Sequence, residues 1–373
     1  MKKRLTWLLL ACACTAAPPP TQPAPWRAEV RHTIDDGDYL APDGEPGEAG
    51  PSAMVRRGES LWVTYAHLRA FQPAGPGWLA QHDATTLERR QFIRLTHADG
   101  ECRNPTALLL DADLAHIVCA GRHSFAEPSD DGRVMTVSLA TGEVLATARV
   151  GHSPGSITRA GDALWLGDGE VGGAWRVEAD TLSNPEYHQP CLVDATHQGY
   201  VSDLLAHEGR LFAACFNDDT VVELDPVSGK VLHTLPTGDA PLRMRVIGDA
   251  LYVLDNLGGT VSVVGLTTPP TSRSAAIALG AGGEQGGNDP QGIDGAEGFI
   301  GVTNSAWGTF VVVDLETQRL TSAIDLKPSP DAASNFPSAV TYEDGVFHVL
   351  VAGLELDTND VPGEIIRIVK VEQ

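Results

Sequence analysis

Beyond Pro51, apolar and polar residues alternate in short runs separated by turns rich in Gly, Asp and Asn. A period of two marks strands and argues against a helical solenoid, whose apolar positions recur about every 3.6 residues. Runs of this kind begin near Leu61, Ala115, Leu164, Leu211, Leu251, Phe299 and Val346. Before six of them a proline opens another strand, at Pro51, Pro105, Pro154, Pro241, Pro290 and Pro337; Tyr200 stands at the remaining place. Successive gaps between these markers are 54, 49, 46, 41, 49 and 47 residues. Each gap also holds a third strand, as at 134–137, 221–224 and 311–314, and a fourth, as at 144–150 and 320–326. The pattern predicts an all-β fold, a seven-bladed β-propeller of four-stranded blades.

The last unit supplies only three strands, 338–342, 346–352 and 364–369. An alternating run at 26–34 is available to complete it. Pairing the N-terminal strand with the C-terminal blade would close the ring and hide two open edges.

The phrase Asp225-Pro-Val-Ser-Gly-Lys-Val runs on through Thr237-Gly-Asp-Ala-Pro241, Leu251-Tyr-Val-Leu-Asp-Asn256 and Thr260-Val-Ser-Val-Val264. Thr141-Gly-Glu-Val144 with Val150-Gly-His-Ser-Pro154 repeats part of it. These residues resemble the YVTN-repeat β-propeller family over roughly 51–370. The resemblance implies a rigid interaction disc.

Before the repeats, Lys2, Lys3 and Arg4 precede a short apolar run ending Leu9-Leu10-Ala11-Cys12. The run is too short to span a bilayer and resembles a bacterial lipobox, with Cys12 as the lipidated residue. Cys14 is a weaker candidate, and an ordinary secretory signal is the alternative. The expected organisation is a signal peptide at 1–11, a Pro-rich tether at 12–25 and the propeller at 26–373. This predicts an exported lipoprotein at the outer membrane or cell surface, facing periplasm or exterior.

Formal charge is −23 for the whole chain, and about −26 once the three cations of the signal are removed. Such a surface repels phosphate backbones, so nucleic acid is excluded as an expected partner. Asp35, Asp36, Asp38, Asp43, Glu45 and Glu48 read as a solvated acidic loop. Beyond the signal the cysteines are Cys102, Cys119, Cys191 and Cys215, an even number that favours disulfides in an exported chain. Cys119 and Cys215 fall at the same place in their units, and Cys102 and Cys191 precede the first strands of those units. That placement predicts Cys102–Cys119 and Cys191–Cys215.

The repeat also serves as a ruler. Two places after the marker stand Ala53, Ala107, Ser156, Ser202, Arg243, Gly292 and Ala339, where Arg243 breaks a run of small residues. One place further stand Met54, Leu108, Ile157, Asp203, Met244, Ile293 and Val340, where Asp203 breaks a run of apolar ones. The two exceptions are expected either to pair and fix blade register, or to leave Arg243, with Arg245 on the same strand face, as an anion anchor in the channel.

Asp168, Asn217, Asp218, Asp219, Asp255, Asn256, Asn304 and Trp307 fall on the loops of the face that usually takes ligands. Their oxygens suit Ca²⁺, although Asp and Asn are also ordinary turn residues. His67, His123, His152 and His197 fall in the same loops and, with Asp168, are the candidate ligands for a transition metal. No H-E-x-x-H or C-x-x-C is present. The expectation is therefore a largely monomeric, non-catalytic binding or scaffold module for a protein or small ligand, with no required cofactor. The alternatives are a metal-dependent hydrolase or lyase using the channel mouth, and an accessory subunit of a periplasmic redox enzyme.

Overall fold

The computed structural model describes residues 26–34, 48–69, 72–73, 75–121, 132–169, 172–192, 199–272, 276–280, 289–327, 336–352 and 363–371. The signal segment, Cys12 and the tether, the acidic residues 35–45, His123, His197 and the side chains of Glu48 and His67 lie outside the described residues.

Seven antiparallel sheets follow one another along the chain. Blade one is Glu48–Arg57, Ser60–Arg69, Trp78–Asp83 and Arg89–Arg94. Blade two is Pro105–Asp111, Leu114–Cys119, Arg133–Ser138 and Val144–Arg149. Blade three is Pro154–Ala160, Ala163–Asp168, Ala174–Glu178 and Glu186–His188, and blade four is Val201–His207, Arg210–Cys215, Thr220–Leu224 and Val231–Pro236. Blade five pairs Pro241–Ile247, Ala250–Asp255 and Thr260–Gly265 with an outer edge in two pieces, Thr271–Ser272 and Ile277–Ala278. Blade six is Pro290–Ala296, Phe299–Asn304, Thr309–Asp314 and Arg319–Asp325.

Blade seven combines both ends of the chain, in the order Pro337–Glu343, Val346–Val351, Glu364–Lys370 and Trp26–Thr33. Trp26 pairs with Lys370 and Thr33 with Glu364, so the N-terminal strand is the outer edge of the final sheet. Its alternation explains the fit. Trp26 is only 4% exposed, and its ring lies 5.2 Å from Phe299 and 5.1 Å from Phe347.

The core is not a single mass. Seven apolar clusters each fill the space between two neighbouring blades, such as Trp62, Leu79, Ile117 and Met135 between blades one and two. The first strands touch in ring order, and Glu48–Arg57 meets both Pro105–Asp111 and Pro337–Glu343. They therefore surround the axis.

Register within each blade follows one rule. The leading residue pairs with the residue fourteen places on, which ends the second strand in every blade but the first, and the next residue is skipped as a bulge before pairing resumes. This rule corrects the reading of blade four. Val201, not Tyr200, pairs with Cys215, as Pro241 pairs with Asp255. Tyr200 stays outside the strand, with its ring 5.2 Å from that of Phe216 and its carbonyl accepting the Phe216 N–H at 2.9 Å. Asp203 consequently occupies the second place after the leading residue, the same place as Arg243, and Leu204 fills the apolar place. The two charges are neighbours in equivalent positions.

Candidate functional site

Side chains at the bulge, or just after the second strand, bring the blades together on the upper face. Ser52 Oγ donates to the Pro105 carbonyl at 2.5 Å, Thr106 Oγ1 to that of Pro154 at 2.8 Å, and Ser202 Oγ to that of Pro241 at 2.6 Å. Asn256 Nδ2 donates to the Pro290 carbonyl at 2.9 Å, and Ser305 Oγ to that of Pro337 at 3.1 Å. Each of these bonds starts on one blade and ends on the leading residue of the next.

The last position of the second strand fastens the loop that enters its blade, and different blades do so with different chemistry. Blades two and four use disulfides, Cys102–Cys119 and Cys191–Cys215, with the pairing expected from the repeat. Blade three uses Asp168, whose Oδ2 accepts the His152 N–H at 3.0 Å and Trp175 Nε1–H at 3.3 Å. Blade five uses Asp255. Its Oδ2 accepts from Thr260 Oγ1 and Ser262 Oγ, both at 2.7 Å, and its Oδ1 accepts the Gly238 N–H at 3.2 Å. Burial pushes the Asp255 carboxyl up to about 6 against those bonds. Gly151, at φ +63°, and Gly238 are needed here because a Cβ at either would collide with the aspartate. In blade six the Asp289 N–H donates to Asn304 Oδ1 at 3.4 Å, while Asp289 Oδ1 accepts from Asn256 Nδ2 at 2.8 Å.

Asp168 and Asp255 thus sit in separate blades, each enclosed by its own loop and third strand. His152 Nδ1 lies 3.8 Å from Asp168 Oδ2. Among the described residues, the one group of side chains with mutual spacing fit for a metal is Cys191, Cys215 and Asp218, of which the sequence singles out Asp218 as a Ca²⁺ candidate and the two cysteines as a disulfide.

On the innermost strands the charges of blades four to six interlock. Asp203 Oδ2 accepts the Met244 N–H of blade five at 2.8 Å. Arg243 Nη1 donates to the Ser202 carbonyl at 2.8 Å and to that of Leu242 at 3.3 Å. Burial raises the Asp203 carboxyl to about 6, and the nearby Arg243 charge and the backbone donors hold it from going higher. Two residues further, Arg245 Nε lies 2.7 Å from Asp294 Oδ1. Asp294 Oδ2 also accepts the Tyr342 N–H of blade seven at 2.8 Å; burial still holds this carboxyl above its usual range. The sequence reading missed Asp294. It was visible as the sole acid of its column, four places after the leading residue, beside Arg245 in the adjacent blade.

Arg245 is 47% exposed on its side chain, and Arg243 makes its hydrogen bonds to blade four and to its own strand through Nη1. The loops above the same sector carry exposed apolar side chains: Leu192 at 57%, Leu257 at 56% and Trp307 at 40%. Cations and apolar groups therefore share blades four to six.

No protein-family model matches the sequence, and no curated protein matches it. Solved structures do match in shape. The β-propeller domain of Cps50 (Swd1) from Myceliophteria thermophila superposes with a TM-score of 0.64 at 9% identity, covering 92% of this chain and all of that one (100%). The WD40 repeats of RRP9 give 0.61 at 12% identity, over 87% and 96% of the two chains. A computationally designed protein, Ika8, gives 0.56 at 12% identity, over 87% and 98%. At such identities the likeness establishes the propeller fold and nothing finer.

Proposed function

We propose that this chain is a non-catalytic binding module, displayed at the cell envelope through a lipid on Cys12, with its ligand seated at the channel mouth over blades four to six. The observation that carries the reading is the coincidence in one sector of Arg243 with the exposed loop residues Leu192, Leu257 and Trp307. In a chain of net charge −23, arginine side chains on the innermost strands favour a ligand with an anionic group, and the apolar loops favour a ligand with an apolar body. Arylcarboxylates, or a protein segment that presents a carboxylate beside an aromatic side chain, have that chemistry. The guanidinium fork matches a carboxylate geometrically, and the ring stacks or packs at the loop level.

A rigid disc suits such a role. Its upper-rim positions are spent on fastening loops and blades, and Asp168 and Asp255 already accept several hydrogen bonds each. The test is a fluorescence titration of the protein with phenylacetate and indole-acetate probes. Saturable quenching that disappears in Arg243→Gln and in Trp307→Ala is expected. Equal responses in parent and variants would contradict the reading. Anchoring is tested separately, by loss of membrane association in Cys12→Ser with folding intact.

A further inference from the structure

Beside the Cys191–Cys215 disulfide lies a carboxylate with one oxygen in use and one left over. Asp218 closes the 3-10 turn Phe216–Asp218 that follows the second strand of blade four. Its Oδ2 accepts the Leu192 N–H at 2.7 Å. Its Oδ1 is buried and, among the described residues, accepts no hydrogen bond. A carboxylate oxygen of Asp218 and the two sulfurs all lie within 4.8 Å of one another. A disulfide has no proton to donate, so it gives this buried oxygen no hydrogen bond.

The same three groups become complementary when the disulfide opens. Two thiolates and a carboxylate form a ligand set for a thiophilic divalent cation. Metal–sulfur bonds of about 2.3 Å and metal–oxygen bonds of about 2.0–2.2 Å require ligand atoms roughly 3.5–3.8 Å apart. That separation lies inside the observed spacing, once the sulfurs part from bonding distance. The two-residue turn between Cys215 and Asp218 fixes both on one short segment, and Cys191 comes from the loop entering the blade. The other disulfide lacks the partner: three places after Cys119 the sequence has Arg122.

We propose that Cys191, Cys215 and Asp218 form a redox-gated metal site, closed as a disulfide and competent for Zn²⁺ or a similar thiophilic cation when reduced. An external dithiol supplies two electrons and two protons, breaking the S–S bond to give two thiols while the dithiol becomes its own disulfide. The cation then displaces both thiol protons and binds the thiolates with the Asp218 carboxylate. Three protein ligands leave one tetrahedral position open.

The test uses the full chain carrying Cys12→Ser, Cys14→Ser, Cys102→Ala and Cys119→Ala, reduced with a phosphine and freed of reductant without air. Cd²⁺ titration is followed by thiolate-to-metal charge-transfer absorption. One equivalent is expected to bind the reduced protein, none the oxidised protein, and Asp218→Asn should weaken binding by about tenfold or more. If the double alanine variant does not fold, the parent chain is compared with Cys191→Ser/Cys215→Ser, and the difference of one equivalent is the readout. Absence of that difference, or Asp218→Asn binding as tightly as its parent, overturns the proposal.

Discussion

Arg245 Nε on the innermost strand of blade five meets Asp294 Oδ1 of blade six at 2.7 Å, and Asp294 in turn accepts the Tyr342 N–H of blade seven. One carboxylate therefore joins three blades. Replacing it by alanine leaves a backbone N–H and a guanidinium without their acceptor. Asp294→Ala is expected to lower unfolding free energy by about 2–3 kcal/mol, read by urea denaturation; a loss near zero would show that the blades hold register without it.

Ring closure gives a second prediction. Trp26 fills the gap between Phe299 and Phe347, so Trp26→Ala should remove a large buried side chain and cost about 3–5 kcal/mol. Hydrogen exchange should then rise first along Glu364–Lys370, the strand that pairs with Trp26–Thr33. Uniform exchange across all blades would contradict a local closing strand.

Acid should weaken the fold. Burial lowers His82, His116 and His348 to about 4 from 6.5, with a backbone acceptor opposing the shift at His82 and His348 and the Asp180 charge opposing it at His116. Their folded values lie below their unfolded ones, so their contribution is present above pH 6.5 and is lost as pH falls towards 4. Asp203 and Asp255, raised to about 6, act the other way in the window from 6 down to 3.8. The histidines are more numerous and begin to act at higher pH. The denaturation midpoint should drop between pH 7 and 4.5, and His116→Gln should flatten the profile.

Asp255 offers a test of opposite sign. Its ionised form is disfavoured by burial, so Asp255→Asn should raise thermal stability relative to the parent more at pH 8 than at pH 5. An equal change at both values would show that Asp255 titrates like an exposed carboxyl.

Ligand binding should share the titration of Asp203. Below pH 6 its carboxyl becomes neutral and Arg243 loses a neighbouring negative charge. Affinity for an arylcarboxylate should therefore strengthen as pH falls from 7 to 5.5, with the dependence removed in Asp203→Asn.

Much of the architecture was legible because strand period, turn residues and the leading proline recur in register. The seven units, the closing strand at 26–34 and both disulfides follow from that repetition. Blade four was misread by one place because Tyr200 imitates a marker while standing outside the strand. The fixed distance of fourteen residues from the leading residue to its partner in the second strand identifies Val201 instead. The roles of Asp168 and Asp255 were hidden for a different reason. An acid at a loop edge reads alike whether it awaits a cation or accepts hydrogen bonds from its own loop, and only the donors around it separate the two. The buried histidines escaped notice because a strand pattern does not reveal that His116 and His348 occupy the third place of their second strands, facing neighbours rather than water.

The most direct measurement is an anomalous-scattering map from crystals soaked in bromide. The account predicts a bromide ion at the axis, within hydrogen-bond reach of the guanidinium of Arg243 or Arg245, and its disappearance in Arg243→Gln/Arg245→Gln. Bromide found on the outer surface alone, with the axis empty, would contradict an anion-binding channel mouth.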